Sequence, residues 1–334
     1  MKYFSLLAII LLYGTSLLSQ EVVIKGIPRD TTYNLHDAFI KQKRFYPFIK
    51  EITPVLPAGV KAYENIVYSK PNEGRELLLN IYRPDDGILY PALLMVHGGG
   101  WSSGTLSLQI PMAEQIALKG YVTIPIEYRL SPESKYPAAV YDIKAAVRWV
   151  RANSEKYGID TAFIAISGCS AGGQLAALVG TTNAQESYEE KRECKDYSSI
   201  VNAVVNIDGC TDFTVETALQ YVDEAIKKNK LPASVKWFGG AINVKKDLWI
   251  AASPVFHVTE NSAPICFINS SVVRFHDGMD ETIEKLNRYN IYSEVHTLSD
   301  SPHTFWLFDP WFQPTVDYTV NYLNKMIVSK SNQR

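Results

Sequence analysis

Cysteine, histidine and charge of a single sign are all in short supply in this chain. Its 334 residues include 4 cysteines and 6 histidines. Cys169, Cys194, Cys210 and Cys266 form no C-x-x-C pair, and no two histidines stand at H-x-x-x-H spacing. The ligand sets of zinc sites are therefore missing, and neither a metal nor another cofactor is expected. The 33 lysines and arginines against 35 aspartates and glutamates leave a formal net charge of −2, with both signs well mixed. Nothing in this balance points to an extended polyanion-binding face, so nucleic acid is not an expected partner; an acidic polysaccharide stays open, because a local basic cleft would not show in the total. Internal repeats and low-complexity linkers are absent. No glycine-rich segment opens a helix as G-x-G-x-x-G or runs into a Lys-Ser/Thr pair, so nucleotide-phosphate loops are not expected either.

Long apolar runs are also lacking after the first twenty residues. Lys2, the apolar stretch Leu6–Leu12 and the small-residue segment ending at Ser19 read as an export signal, residues 1–19, with cleavage near Ser19–Gln20. The run is too short for a stable span, so the mature form is expected in the periplasm or outside the cell without a membrane span. Export would permit disulfides. Cys169 and Cys210 are candidates to lie near each other, and Cys266 reads as a buried thiol.

What remains has ordinary globular composition, 46% hydrophobic and 20% charged. Residues 20–60 read as an N-terminal extension with aromatic anchors, set to pack over a sheet edge or the mouth of a site. Residues 61–330 read as one domain. Strands are expected near 60–69, 77–82, 92–97, 121–127, 162–167, 201–208, 264–269 and 293–298. Helices are expected near 108–119, 137–153, 172–180, 280–290 and 314–328, an alternation that argues for a mostly parallel α/β sheet. Residues 211–252 are too long for a plain connection and carry two helix-like stretches, Val215–Lys228 and Ala233–Gly239.

Three motifs carry chemistry. Gly168-Cys169-Ser170-Ala171-Gly172 stands where the apolar run Ala162–Ile166 turns into a helix. Small residues on both sides allow a strained turn that exposes the hydroxyl at a helix N-terminus, the setting of a nucleophilic serine. His97-Gly98-Gly99-Gly100-Trp101 follows the buried-strand run Ala92–Val96. Its glycines let N–H groups approach a ligand, so Gly99 and Gly100, with Ala171 after the serine, are candidate oxyanion donors. His303, in a loop past the last strand, fits the base of a Ser…acid…His order. His97 reads as a brace for the glycine loop.

With these segments, and with Glu127-Tyr128-Arg129-Leu130-Ser131-Pro132-Glu133, Tyr136-Pro137-Ala138-Ala139 and Asp142, the chain resembles the α/β-hydrolase fold. Within it the chain is similar to the esterase branch of acetylesterases, carbohydrate esterases and hormone-sensitive-lipase-like enzymes. The resemblance covers roughly residues 75–325. It implies a mostly parallel eight-stranded sheet flanked by helices, with residues 211–252 as a small helical lid. It also implies Ser170 as nucleophile and His303 as base.

The acid departs from the family pattern. It usually follows the seventh strand by a few residues, and here that place falls at Val272 or Val273. Similar exported sequences have an Arg-Phe-His-x-Gly-x-Asp segment whose acid matches Asp280. Asp280 is therefore the expected acid and Asp277 the second choice; an acid after the sixth strand, Asp208 or Asp212, is another route, although those two read more as loop-bracing groups. Trp101, Arg274 and Trp306 are candidate substrate contacts. Arg274 could take a substrate carboxylate bidentately or pair with Asp142 or Glu127 inside the fold. Trp306, Trp311 and Phe312 could line a glycan-facing wall. The lid aromatics Phe213, Tyr221, Trp237, Phe238 and Trp249 read either as core or as sugar-stacking rings. The expected function is a secreted serine esterase that removes acetyl groups from a plant or algal cell-wall polysaccharide. A general carboxylesterase or lipase for small or lipid esters, a pectin methyl esterase, a serine peptidase of this fold and a non-catalytic binding protein are the alternatives.

Overall fold

A computed structural model describes residues 21–24, 26–72, 74–190 and 192–331. The expected export signal lies outside them. The described chain opens with an antiparallel ribbon, β1 (Glu21–Ile24) and β2 (Ile27–Asp30), followed by helix α1 (Leu35–Lys43) and the short strand β3 (Lys50–Glu51). Asn34 caps α1, its side chain accepting the N–H of Asp37 at 2.9 Å.

The main sheet is then laid down by β4 (Val60–Ser69), β5 (Leu77–Pro84), β6 (Tyr90–Val96), helix α2 (Ile110–Ala117) and β7 (Val122–Ile126). Helices α3 (Ala138–Ala152) and α4 (Ser154–Tyr157), β8 (Ile159–Cys169), α5 (Ala171–Thr181) and β9 (Val204–Ile207) follow. Three helices come next, α6 (Glu216–Lys227), α7 (Ala233–Phe238) and α8 (Ile242–Ala251). The chain closes with β10 (Ile265–Asn269), α9 (Met279–Arg288), β11 (Ser293–Thr297), β12 (Phe308–Asp309) and α10 (Phe312–Ser331).

Eight of these strands form one sheet in the order β11-β10-β9-β8-β6-β7-β5-β4. The six strands from β11 to β7 are parallel, and β5 and β4 join antiparallel at the other edge. Parallel strands are covered on both faces, which is why Ala92–Val96 is apolar throughout rather than alternating. Each fully buried Leu, Ile, Val or Met there contributes about 1.5–3 kcal/mol of burial. Helix α5 is buried along its whole length, in keeping with its apolar circumference.

The residues after β9 form the expected helical insertion, with a third helix, α8, beyond the two anticipated. Its large rings weld it to the body. Trp101 stacks on Trp237 at 4.8 Å with 8° between planes, and Phe213, Phe238 and Trp249 pack around them. Four of the five lid aromatics are therefore core; Tyr221 is the exposed one.

The N-terminal arm is stitched to the far end of the chain. β3 pairs antiparallel with β12, Glu51 opposite Phe308, and Tyr46 meets Trp311 edge-on at 5.4 Å. Tyr33 N–H donates to Ser103 Oγ at 2.9 Å. The arm thus clamps the segment that follows His303 and the loop that follows the three glycines. Trp306, Trp311 and Phe312, expected as a wall facing a glycan, are instead buried in the core under this arm. Their apolar surface is worth more in that core than in a solvated wall.

All four cysteines are free thiols, with Cys169 and Cys266 buried. Among the described residues, no helix is long and apolar enough to cross a membrane.

Candidate active site

Strand β8 ends and helix α5 begins within one residue, so the chain must reverse at Ser170. It does so with φ 55° and ψ −120°, a conformation that costs of order 1–3 kcal/mol for a non-glycine residue. The flanking glycines make the turn possible. A Cβ on Gly172 would lie 2.2 Å from the carbonyl oxygen of Val96, so only glycine lets α5 start against the end of β6. The N–H of Ser170 donates to the carbonyl of Ile207 at 2.8 Å, which locks the turn to the end of β9.

The exposed hydroxyl finds its partner at once. Ser170 Oγ is 2.7 Å from Nε2 of His303, and Nδ1 of His303 is 2.6 Å from Oδ2 of Asp208. The sequence-expected serine and histidine are thus brought together, and the carboxylate behind them is Asp208. Asp280 is exposed in the first turn of α9 and lines a depression that neither Ser170 nor His303 borders. Its place is that of a helix N-terminal carboxylate, favoured by the macrodipole. Asp277 is also elsewhere. Its Oδ1 accepts from Thr217 Oγ1 at 2.8 Å, and its backbone carbonyl accepts from the N–H groups of Thr211 and Asp212. Burial, with Asp212 nearby, pushes its carboxyl above the usual range.

The carboxylate that meets His303 comes from the strand next to the one the family pattern suggests. Where the family pattern would place an acid, past β10, the chain has Val272 and Val273, just after Ser270 and Ser271. Ser270 serves the replacement: its N–H and Oγ donate to the two oxygens of Asp208 at 2.8 and 2.7 Å. Asp208 follows β9, the neighbouring strand, and its φ of 54° turns the carboxylate toward the histidine loop. His276 gives a fourth contact, Nε2 to Asp208 Oδ1 at 3.1 Å. Burial by itself would raise this carboxyl. The donors from His276 and His303, the charge on His303 and the Ser270 N–H outweigh it, and Asp208 is held below the usual carboxylate range.

His303 is held by packing as well. The ring of Phe275 stacks on it at 3.3 Å and 8°, and Trp306 meets it edge-on at 5.3 Å. Burial lowers its basicity, and Asp208 partly restores it; the net direction is down. The neighbouring thiol of Cys169 is pushed up to about 12 by burial, so it stays protonated.

The glycine loop lies directly against this turn. Gly99 has φ 125°, and a Cβ there would sit 2.1 Å from the carbonyl oxygen of Ser103. His97 is buried behind the loop, its Nδ1–H donating to the Gly98 carbonyl at 2.8 Å and its ring stacked on Tyr128. Burial lowers it to about 4, so it is a neutral brace. Arg129 and Asp142, from the motif segments further on, form a buried two-pronged pair at 2.7–3.0 Å. Glu127 faces Arg29 and Arg75.

Two spaces meet at Ser170. The inner one, about 250 Å³, is mostly apolar and lies under the lid, with Trp101, Phe213, Val222 and Trp249 among its walls and Asp212 and Asp277 on its border; Gly100 and Ala171 border it beside Ser170. The outer one, about 510 Å³, is an open cleft between the arm and the histidine loop. Gln42, Phe45, Tyr46 and Thr304 line it, together with Gly99, Gly100 and His303. Arg274 borders both spaces. Away from the site, Cys266, Glu294 and His296 come within 4.8 Å of one another near the β11 edge, where Glu294 is already engaged by Lys325 and Tyr292.

Sequence reasoning set Asp208 aside and did not weigh His276 or Phe275 as parts of the site. One signal for Asp208 was present. It stands at the carboxyl end of a parallel strand, just before Gly209, where ligand-facing groups of open α/β sheets collect.

Comparison with known proteins places this geometry among relatives. A family model described as BD-FAE matches residues 79–274. The chain is 34% identical over 204 residues to esterase LipC of Mycobacterium tuberculosis, and 33% identical over 195 residues to the probable carboxylic ester hydrolase LipM of that organism. These alignments cover 58% and 57% of this chain but 47% and 44% of those proteins, so the chain spans about half the length of the curated relatives it matches. Among solved structures, a truncated carbohydrate esterase from gut microbiota superposes with a TM-score of 0.66 at 21% identity, covering 82% of this chain and 99% of that one. A thermophilic esterase of Thermogutta terrifontis with bound butyrate gives 0.64 at 23%, covering 80% and 95%. At these identities the likeness is one of fold, and the fold is that of the α/β-hydrolases.

Proposed function

The chain belongs to the BD-FAE family, and from that premise we propose that it is a serine carboxylic ester hydrolase, exported from the cell, that removes acetyl groups from a cell-wall polysaccharide. The observation that carries the esterase reading is the continuous line from Ser170 Oγ through both nitrogens of His303 to Asp208, at 2.7 and 2.6 Å. Such a line moves a proton off a hydroxyl and stabilises the imidazolium that results.

In the proposed reaction Ser170 Oγ forms a bond to the ester carbonyl carbon as its proton passes to His303 Nε2. The N–H groups of Gly99, Gly100 and Ala171 take the developing oxyanion, at about 3–4 kcal/mol of transition-state stabilisation per donor. The bond to the alcohol oxygen breaks, and that oxygen leaves with the proton from His303. Water then repeats the sequence on the acyl-enzyme, with His303 as base again, and the acid is released from a regenerated Ser170.

The two spaces suit the two halves of such a substrate. The lidded inner space takes the acyl group. The open cleft admits an alcohol attached to a long chain, and the exposed ring of Phe45 at its rim offers a face for a sugar. Two structural neighbours, a carbohydrate esterase from gut microbiota and a bifunctional GH43-CE protein of Bacteroides eggerthii, lend the polysaccharide reading support by analogy.

A second reading is a carboxylesterase for small esters with longer acyl chains. The apolar walls and volume of the inner space, larger than an acetyl group fills, favour it. Release of acetate from acetylated xylan, pectin and rhamnogalacturonan, set beside cleavage of 4-nitrophenyl acetate and octanoate, separates the two. Ser170→Ala is the blank and should lower turnover about 10⁶-fold. Acetate release from a polysaccharide that vanishes in this variant supports the first reading. Cleavage of the nitrophenyl esters alone supports the second.

A further inference from the structure

We propose that Arg274 and Lys41 form an anion-binding subsite in the outer cleft, so that the alcohol half of the substrate is a saccharide carrying a carboxylate close to the ester. This rests on the esterase reading of the same site and adds the charge of its substrate.

Arg274 sits in the short turn Val273–Phe275 between β10 and α9. Its guanidinium lies over two aromatic rings, 4.6 Å from the centre of Tyr221 and 4.2 Å from that of Phe275. Among the described residues it has no hydrogen-bond or ion-pair partner. The internal partners conceivable from sequence are taken: Asp142 holds Arg129, and Glu127 faces Arg29 and Arg75. Ring contacts fix the plane of a guanidinium and leave its N–H edge free. A fixed, unpaired fork is suited to a planar carboxylate, which it can hold by two parallel hydrogen bonds.

Its position ties that fork to the reaction. Phe275, one of the two rings, is itself stacked on His303 at 3.3 Å. The ligand that Arg274 holds would therefore stand beside the ester under attack. Across the cleft, α1 contributes Lys41, exposed and likewise without a hydrogen-bond or ion-pair partner among the described residues. The described lining of this cleft carries Lys41 and Arg274 and no aspartate or glutamate. The acidic groups near Arg274, Asp212 and Asp277, border the inner space instead. A net positive cleft beside an inner space with acidic groups favours an anion on the alcohol side and disfavours one on the acyl side.

The test compares two acetylated galacturonate oligosaccharides of one length, one with free carboxylates and one with the carboxylates methyl-esterified, with 4-nitrophenyl acetate as a substrate that lacks a sugar. The readout is the ratio of kcat/KM on the charged to the neutral oligosaccharide. The native enzyme should favour the charged one. Arg274→Gln should lower the ratio about tenfold to a hundredfold, as loss of a two-pronged charged contact implies. Arg274→Lys should restore part of it, and Lys41→Ala should lower it about threefold, with sensitivity to salt. A native ratio at or below one, or a ratio that Arg274→Gln leaves in place while acetate is still released, overturns the proposal and leaves the esterase reading standing. Failure of the native enzyme to cleave any of the three esters overturns that reading and this one with it.

Discussion

Asp208 Oδ2 lies 2.6 Å from Nδ1 of His303, a contact made across 95 residues of sequence. It joins the end of β9 to the loop after β11, over the intervening end of β10. The carboxylate beside the histidine therefore comes from a different strand than the family pattern suggests, while the histidine and serine keep their places.

Exchange of this carboxylate separates the assignments. Asp208→Asn should lower kcat on 4-nitrophenyl acetate about 10⁴-fold, because the amide no longer holds the required tautomer or balances imidazolium charge. Asp280→Asn, on an exposed helix turn, should change it less than about twofold. A large loss in the second variant with little in the first would return the role to Asp280.

His276 holds the other oxygen of Asp208 at 3.1 Å. It touches no reacting atom, so it acts through Asp208 as a positioning residue. His276→Ala should lower kcat about tenfold with KM nearly unchanged, the effect of one lost hydrogen bond. A purely structural loss would leave the pH profile alone. Here its midpoint should rise, because His276 disfavours the charged form of His303 and Asp208 is left more basic.

The acidic limb of the native profile has a defined sign. Burial lowers the His303 imidazole from its ordinary 6.5, and Asp208 only partly offsets this. The base must be neutral to accept the serine proton, so kcat/KM should rise with pH and reach half its plateau below 6.5. Asp208→Asn removes the offset and should move the midpoint lower still. Rates between about pH 4 and pH 8, on an ester that does not ionise, give the answer. A native midpoint above 6.5 would contradict the burial argument.

Gly99 combines φ 125° with a neighbouring carbonyl that leaves no room for a Cβ. Gly99→Ala should lower Tm by about 3–5 °C, from roughly 2–3 kcal/mol of strain. It should also lower kcat about 10²-fold or more by displacing an oxyanion donor. Calorimetry and turnover on one preparation measure both. A variant with native Tm and native turnover would remove Gly99 from the oxyanion site.

Ser170, His303, the three glycines before Trp101 and the alternation of strands with helices were all legible in the chain. Their signals are local. A strained turn needs small residues within two positions of its centre, and a buried parallel strand needs an unbroken apolar run, so a few consecutive residues carry each. Asp280 looked convincing for the same reason, since it matches a local pattern. The carboxylate that meets His303 is chosen by something else, namely which loops the sheet order brings together.

The sequence by itself singled out Ser170, His303, the glycine loop and the fold that presents them, because backbone strain and strand burial act over short stretches. Only the tertiary structure decided the rest. It put Asp208 rather than Asp277 or Asp280 beside His303, made Trp306 core rather than wall, set α1 against the cleft, and left Arg274 over two rings without a hydrogen-bond or ion-pair partner among the described residues. Each is a contact between distant segments, and several residues of the right chemistry competed for it. Their spacing along the chain carries no information about which one the packed sheet places within 3 Å of His303.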